Sequence, residues 1–368
     1  MTTANTPTRL IALDALRGFT IMAMIVVNDP GSWDHVYAPL LHAEWNGVTP
    51  TDYIYPFFIF IIGVSIVMAY DKRLAANEPR QAMAKKIFWR ALKIYLVGLF
   101  LWLFPNFDFG GIRWAGVLQR ISVVFLPCAL LFLYTDWKTW LRIGVGTLVA
   151  YWIIMAYVPV PGIGAPDLSV PIKNWAHYLD SVALPGVMWQ KTWDPEGILS
   201  TFPAIVTGIT GMLAGRLILD VKDDYRRLTK LFLWGFVMLT LGEVWSWFFP
   251  LNKNTWTSSY VLHTSGLAFM ALAASLLVVD MKGYTRWTKP GVIFGANAIT
   301  AYVLASLLTS VFYTGYGGYP GLNEMWMNGL TGIGLPAKFA SLTYALLYVC
   351  IVFIPVYWLY RKKIFVKL

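Results

Sequence analysis

The fold is decided by two apolar stretches, IALDALRGFTIMAMIVVN at residues 11–28 and TDYIYPFFIFIIGVSIVMAY at residues 51–70. Each is close to the roughly 20 residues that a helix needs to cross the hydrocarbon core of a bilayer. Eight further runs of similar length lie near residues 84–104, 115–134, 138–158, 198–219, 227–249, 256–280, 290–313 and 337–360. The sequence therefore predicts an all-α fold, a polytopic integral membrane bundle of about ten transmembrane helices that forms one domain over residues 1–368. Because the third to fifth runs crowd together, nine or eleven spans also fit the pattern.

The composition agrees with this fold class. Hydrophobic residues make up 58% of the 368 and charged residues only 13%, whereas soluble domains carry about 25% charged residues. The 18 Trp and 20 Tyr suit the aromatic belts at the two faces of a membrane. The net charge of +10 comes from basic residues in short loops between apolar runs. This pattern is typical of membrane orientation, so we predict a lipid bilayer as a partner and no nucleic acid.

The distribution of Lys and Arg predicts the orientation. If the N-terminus is cytoplasmic, 20 of the 29 basic residues lie in or beside cytoplasmic segments. The outward loops then hold four, which are Arg113, Lys173, Lys191 and Lys253. Because cytoplasmic loops of membrane proteins are rich in Lys and Arg, both termini are predicted to be cytoplasmic. The loop between the first two spans and the long loops 159–197 and 314–336 then face outward.

The loop over residues 29–50 is unusually polar for its position. It holds two of the four histidines, two Asp, one Glu and two Trp, but no Lys or Arg. A connecting loop needs turn formers and solubility, and it does not need acid–base groups and indole rings at a membrane surface. Because ionisable groups at the edge of the hydrocarbon are costly and usually functional, we expect the chemistry of this protein in this loop.

Other polar residues allow two interpretations each. Asp14 and Arg17 share a helix face in the first span, so they form either a self-satisfied ion pair or a site where Arg17 meets a phosphate or carboxylate. Gln119 and Arg120 in the fourth span pose the same choice, since Arg binds anions through two parallel hydrogen bonds.

The ends of the sixth and eighth spans are less specific. Asp194 and Glu196 suit the start of a helix, while Gly211 and Gly215 are typical of close helix packing. The polar block over residues 254–260 is either a helix cap or a polar wall with an indole platform for a sugar.

The histidines form no metal-binding motif, and we predict no metal. His263, one turn into the eighth span, is interpreted as a satisfied intramembrane histidine. The sequence also lacks the nucleotide-binding and serine-hydrolase motifs.

Several motifs follow one another along the chain. The most specific ones are Leu13-Asp14-Ala15-Leu16-Arg17-Gly18, Val27-Asn28, His42-Ala43-Glu44-Trp45-Asn46-Gly47-Val48-Thr49, Asp52 and Tyr55-Pro56-Phe57-Phe58. Weaker ones are Gly116-Val117-Leu118-Gln119-Arg120-Ile121, Trp193-Asp194-Pro195-Glu196-Gly197, Asn252-Lys253-Asn254-Thr255-Trp256-Thr257-Ser258-Ser259-Tyr260 and Gly295-Ala296-Asn297-Ala298. In this order they resemble the heparan-α-glucosaminide N-acetyltransferase family, and most of all its short bacterial members.

The resemblance implies transfer of an acetyl group from cytoplasmic acetyl-CoA, the co-substrate, to a glucosamine-type amine on the outer face of a bacterial inner membrane. It implies that His42 is the catalytic histidine and that Asn28 assists it. A histidine titrates near neutral pH and can take the proton of an attacking amine. Whether His42 acts as a general base or carries the acetyl group itself stays open.

Two sets of binding residues are predicted around this pair. The set for the amino-sugar substrate is Trp45, Asn46, Asp52, Glu196, Asn254 and Trp256. The set for acetyl-CoA is Arg17, Gln119, Arg120 and Ser259.

Two other functions fit the same residues. One is a transporter of a small sugar or anionic solute that uses the polar intramembrane groups as its path. The other is an acyltransferase with a different glycan acceptor. The missing internal repeat and the concentration of acid–base residues on one side favour an enzyme. Oligomeric state is left open, and a homodimer is one arrangement.

Overall fold

The structure is a computed structural model that describes residues 10–315 and 317–366. Within these residues the regular elements are helical and no strand is present. The α-helices are α1 (Ile11–Asn28), α2 (Ile54–Ala75), α3 (Arg80–Leu103), α4 (Val117–Tyr134), α5 (Trp137–Tyr157), α6 (Trp175–Ala183), α7 (Ile198–Asp220), α8 (Asp224–Ser246), α9 (Ser258–Ser275), α10 (Lys289–Ala296), α11 (Ala298–Phe312), α12 (Leu322–Gly332) and α13 (Ala337–Arg361). The predicted all-α fold is confirmed.

The lengths of these helices suit a multi-pass membrane protein. Among the described residues, eight helices are long and apolar enough to cross a membrane, and α10 with α11 makes a ninth candidate if the bent pair is one span. The remaining predicted span, near residues 84–104, corresponds to α3. This helix has 24 residues, but Lys86, Arg90 and Lys93 make it less apolar than the others.

Two predictions made from the sequence are wrong. The predicted span 290–313 is broken at Asn297, where α10 and α11 meet at 83°. The long segments 159–197 and 314–336 are not loops throughout, since they contain α6 and α12. The side chain of Asn174 starts α6 by accepting a hydrogen bond from the backbone of His177, which is the usual role of Asn before a helix.

The chain divides into two compact units, and the prediction of a single domain stays a prediction. The first unit comprises residues up to Leu41, Asp224–Thr229 and the part from Met270 to Lys367; the second comprises His42–Asp223 and Lys230–Phe269. Arg9 and Lys367, two of the basic residues used for the orientation, lie outside the described residues.

In the second unit, α2 and α7 pack at backbone contact. A Cβ atom on Gly63 would lie 2.0 Å from the carbonyl oxygen of Gly208, and one on Gly211 would lie 2.0 Å from that of Phe60. Only glycine permits this approach, which gives van der Waals packing between helices where lipid offers no hydrophobic driving force. The rigid α2–α7 pair supports the polar residues at the start of both helices.

In the first unit, the break between α10 and α11 is stabilised by the buried side chain of Asn297. Its amide donates to the carbonyl of Ile364 at 3.1 Å and accepts from the N–H of Val366 at 3.0 Å. This amide therefore pairs with the backbone of the segment that follows α13.

Candidate active site

The side chain of His42 is held by a buried carboxylate. His42 Nδ1 lies 2.7 Å from Asp52 Oδ1, and the two side chains are 48% and 1% exposed. The second oxygen of Asp52 accepts from the N–H groups of Ala43 and Thr49 at 3.0 and 2.9 Å. It also accepts from the Thr49 hydroxyl at 3.1 Å. The carboxylate is thus fixed from four directions, while the imidazole is left accessible.

Local sequence explains this geometry. Thr49 and Asp52 form a reciprocal capping box around the 3₁₀ turn Pro50–Tyr53 that precedes α2, and this motif satisfies the free N–H groups at a helix start. The hydroxyl of Tyr260 donates to the backbone carbonyl of Asp52. In the tautomer with the proton on Nδ1, which the contact with Asp52 favours, Nε2 of His42 carries the lone pair that a general base needs.

Lys253 is a third member of this site that the sequence analysis did not assign. Its Nζ lies 3.0 Å from Nδ1 and 3.1 Å from Nε2 of His42, and 3.6 Å from Asp52 Oδ1. Burial lowers the pKa of Lys253, although the charges of Asp52 and Glu196 oppose that shift. The site therefore combines an imidazole, a carboxylate and an amine whose polar atoms lie within 3.6 Å of one another.

Asn252 joins the loop of His42 to the loop of Lys253. Its buried amide donates to the carbonyl of Trp45 and to Oδ1 of Asn46, both at 3.0 Å, and its own oxygen accepts from the N–H of Thr255. This role was not predictable from the sequence because it links positions more than 200 residues apart. Its only signal was the match of residues 252–260 to the family motif.

Trp45 and Asn46, predicted to bind substrate, both donate to the carbonyl of Leu168, at 2.9 and 3.1 Å. The indole of Trp45 also meets that of Trp193 edge to face, with ring centres 5.4 Å apart. These contacts give both side chains a structural role in addition to any role in binding.

Arg120 and Trp256 form a buried pair next to the start of α7. The guanidinium carbon of Arg120 lies 5.2 Å from the centre of the Trp256 ring. Nη2 of Arg120 donates to the Gly197 carbonyl at 3.2 Å and to the hydroxyl of Ser200. Its Nε and Nη1 have no hydrogen-bond partner among the described residues. A buried guanidinium with spare donors suits an anionic or carbonyl group.

Glu196 and Asp194 share one arginine. Arg113 donates to both oxygens of Asp194 at 2.7 Å and to Glu196 at 2.7 Å. The rings of Trp102 and Trp189 lie 5.7 and 5.0 Å from its guanidinium carbon. Burial raises the pKa of Glu196; burial of Asp194 is outweighed by the hydrogen bonds from Arg113, which lower its pKa. Glu196 is therefore the carboxyl group of this pair that holds a proton more readily.

Three further predicted residues lie in the second unit. Ser259 is fully buried and donates to the carbonyl of Phe249, which is a packing role. Gln119 is buried, and Asn254 is half-buried on the same loop as Lys253. Their roles in binding stay predictions.

Two predicted residues lie in the first unit. Asn28 is exposed at the last position of α1. Arg17 pairs with Asp14 at 2.9 Å and donates to the carbonyl of Gly295 at 3.1 Å. These contacts match the ion-pair interpretation of Arg17, and the roles of both residues stay predictions.

The chemistry of the site follows from its donors and acceptors. Among the described residues, no three His, Cys, Asp or Glu side chains are grouped so that they could hold a metal ion. The arrangement offers a general base on His42, cations on Lys253 and Arg120, and a buried indole on Trp256. This combination is able to deprotonate a nucleophile and to stabilise negative charge that develops beside it.

The fold and the site define a multi-pass helical membrane protein with an acid–base histidine site. Residues 9–178 match the family model described as heparan-alpha-glucosaminide N-acetyltransferase, catalytic. The matched segment contains His42, Asp52 and Arg120, while Glu196, Lys253 and Trp256 lie beyond it.

Two curated relatives extend the similarity along the chain. The chain is 29% identical to heparan-alpha-glucosaminide N-acetyltransferase of Mus musculus over 370 residues, which cover 84% of this chain and 55% of the relative. It is 30% identical to the Homo sapiens protein of the same name over 359 residues, which cover 81% and 52%. The resemblance to this family is confirmed, and the chain spans about half the length of the curated relatives it matches.

Proposed function

We propose that this protein transfers an acetyl group from acetyl-CoA to the amine of a glucosamine-type sugar, with His42 at the reaction centre. The observation that carries the proposal is the pairing of a half-exposed imidazole with a carboxylate that is 1% exposed. A carboxylate so well held fixes the ring and its proton, and leaves Nε2 as the base. The relatives that match the chain carry the name of this activity.

The reaction uses the residues in a definite order. The amine nitrogen attacks the thioester carbonyl carbon while Nε2 of His42 takes a proton from that nitrogen. The carbonyl oxygen gains negative charge, which a protonated Lys253 beside His42 stabilises. The C–S bond then breaks, and the thiolate of CoA takes the proton from His42. In the second form of this chemistry, Nε2 of His42 attacks the thioester carbon and the C–S bond breaks to release the thiolate of CoA. The amine then displaces the imidazole from the acetyl group, and the proton that the amine loses balances the thiolate.

The neighbouring residues take the remaining roles. Glu196 and Trp256 stay the proposed sugar-binding residues, although the Trp256 ring is 1% exposed and already packs against Arg120. Arg120 lies against Trp256, which is a proposed sugar-binding residue. We therefore assign the spare donors of Arg120 to the reaction centre rather than to the phosphates of CoA. Arg17 stays the proposed cation for acetyl-CoA, and Asn28 stays a proposed catalytic residue.

The proposed topology places both termini in the cytoplasm of a bacterium and the loop of His42 on the outer face of its inner membrane. This orientation is supported by the excess of Lys and Arg in the predicted cytoplasmic segments. Acetyl-CoA is a cytoplasmic metabolite and the acceptor is outside, so the acetyl group crosses the membrane through the bundle.

A transporter is the second candidate function, because the break between α10 and α11 resembles the discontinuous helices of transporters. Vesicles that contain the purified protein separate the two functions. Labelled acetyl-CoA is added on one side and a panel of amino sugars on the other. Labelled N-acetylated sugar on the acceptor side supports the enzyme, whereas uptake of unchanged sugar without product supports the transporter.

A further inference from the structure

A second histidine of the same unit is paired with a carboxylate, outside the site described above. The hydroxyl of Tyr53 lies 2.9 Å from Nε2 of His263, and Nδ1 of His263 lies 3.2 Å from Oε2 of Glu243. The rings of Tyr53 and His263 have centres 5.8 Å apart. These three side chains come from the turn before α2, from α9 and from α8, and we call them the Tyr–His–Glu chain.

A glycine makes this contact between α8 and α9 possible. A Cβ atom on Gly242 would lie 2.4 Å from the backbone nitrogen of His263 and 2.9 Å from the carbonyl oxygen of Ser259. Any other residue would push the helices apart. Since Gly242 precedes Glu243, the same close approach brings the carboxylate of Glu243 to the ring of His263.

The exposure of the three residues gives the chain a direction. The side chain of Glu243 is 55% exposed, whereas that of His263 is only 12% exposed. The contact between them is at ion-pair distance, without the alignment of a good hydrogen bond. The carboxylate favours a proton on Nδ1, so Nε2 accepts the hydroxyl proton of Tyr53. The Tyr–His–Glu chain therefore leads from a half-buried phenol to an exposed carboxylate in the last turn of α8.

The Tyr–His–Glu chain begins next to the proposed site. Tyr53 directly follows Asp52, the carboxylate that holds His42. The titratable groups that face Tyr53 are Glu243 from α8, Asp52 from its own turn and Tyr260 from α9. A proton removed near Asp52 thus has a path of acid–base groups away from the site.

The proposed reaction needs such a path because a sugar amine loses two protons. An aliphatic ammonium group must first become a free amine before it attacks. The second proton leaves after attack and is the one that His42 passes to the thiolate. One histidine in the site cannot hold both protons at once.

We propose, on the basis of the proposed function, that the Tyr–His–Glu chain takes the first proton from the ammonium form of the acceptor. The ammonium N–H bond breaks and the proton goes to the oxygen of Tyr53, as the hydroxyl proton of Tyr53 goes to Nε2 of His263. The imidazolium that forms is balanced by the carboxylate of Glu243. This pair then releases one proton from the exposed carboxylate of Glu243, in the last turn of α8, which restores the starting charges.

The test compares two acceptors, of which only one has to lose a proton before its nitrogen can attack. Glucosamine is largely protonated at about pH 6, whereas its aminooxy analogue is neutral there and needs only the second proton removed. The full-length protein and its variants Tyr53→Phe and Glu243→Gln are assayed with acetyl-CoA and each acceptor, at about pH 6 and about pH 9. Tyr134→Phe, an exposed tyrosine at the end of α4, is the matched control.

With glucosamine at about pH 6, we expect kcat/KM to fall about tenfold in Tyr53→Phe and in Glu243→Gln. At about pH 9, and with the aminooxy acceptor at either pH, both variants should lie within about twofold of wild type. Equal losses with both acceptors, or no loss with glucosamine at about pH 6, would overturn the inference. Because Glu243 is exposed, its variant decides the question if Tyr53→Phe fails to fold. A wild-type protein that acetylates neither acceptor would refute the proposed function itself.

Discussion

The two histidine–carboxylate pairs of this protein have opposite exposure. In the pair of His42 and Asp52 the imidazole is accessible and the carboxylate is buried; in the pair of His263 and Glu243 the imidazole is buried and the carboxylate is exposed. A buried carboxylate orients an imidazole toward a substrate, and an exposed one connects an imidazole to water. Similar residues within one unit are thus suited to different steps.

The largest effect is expected from the loss of the accessible imidazole. His42→Ala should lower turnover by at least ~10²-fold with every acceptor, because a general base contributes about this much. The variant should keep the thermal midpoint of wild type to within a few degrees, since the His42 side chain is half exposed. Steady-state assays beside His35→Ala, an exposed histidine in the same loop, check this. An equal loss of turnover in His35→Ala would show that the effect is not specific to the imidazole held by Asp52.

Removal of the buried carboxylate should have the next largest effect. Asp52→Asn replaces the acceptor of the Nδ1 proton with an amide that can also donate, so His42 is free to adopt the wrong tautomer. We expect a fall in kcat of roughly tenfold to a hundredfold, with a much smaller change in KM. The exposed Asp34→Asn is the control. A loss confined to KM would instead place Asp52 in sugar binding, its predicted role.

A smaller effect is expected from Lys253. Lys253→Met removes the cation beside the base and should lower kcat about tenfold, which is the lower end of the about 1.5–3 kcal/mol that a hydrogen bond to a charged group contributes. The loss should be similar for protonated and neutral acceptors, unlike that of Tyr53→Phe. Lys173→Met, at an exposed loop position, should be neutral. If Lys253→Met acts only on the protonated acceptor, Lys253 belongs to the path of the first proton.

The smallest effect on activity is expected from Asp29, a buried carboxyl group that is not paired with a histidine. Burial raises the pKa of Asp29 to about 7, against a hydrogen bond from Thr309. Since Asp29 ionises at lower pH in the unfolded chain, stability should fall as pH rises from about 4 to about 7, by at most a few kcal/mol. Asp29→Asn should remove this part of the fall in thermal midpoint, and Asp34→Asn should keep it. An unchanged pH dependence in Asp29→Asn would contradict the raised pKa.

The sequence predicted the helices well because membrane spans are long and apolar. The run 115–134 is α4 to within two residues, and the run 11–28 is α1. The break at Asn297 was not predictable, because composition does not report a bend between two apolar helices. The helix α6 was missed because it is short and lies within a Pro-rich segment.

The sequence also located the loop of His42, because acid–base residues at a membrane edge are conspicuous. It could not pair His42 with Lys253 or Tyr53 with His263, since both contacts join positions about 210 residues apart. Asp52 was assigned to sugar binding for the same reason: its contact with His42 depends on the turn before α2.

The central claim is that the accessible imidazole of His42, held by Asp52, carries out acetyl transfer to an amine. A single-turnover reaction tests it most directly: excess purified protein is mixed with labelled acetyl-CoA and glucosamine, and labelled N-acetylglucosamine is followed in time. The account predicts rapid product formation by wild type and a rate at least ~10²-fold lower for folded His42→Ala. Product formation at the wild-type rate by His42→Ala would contradict it.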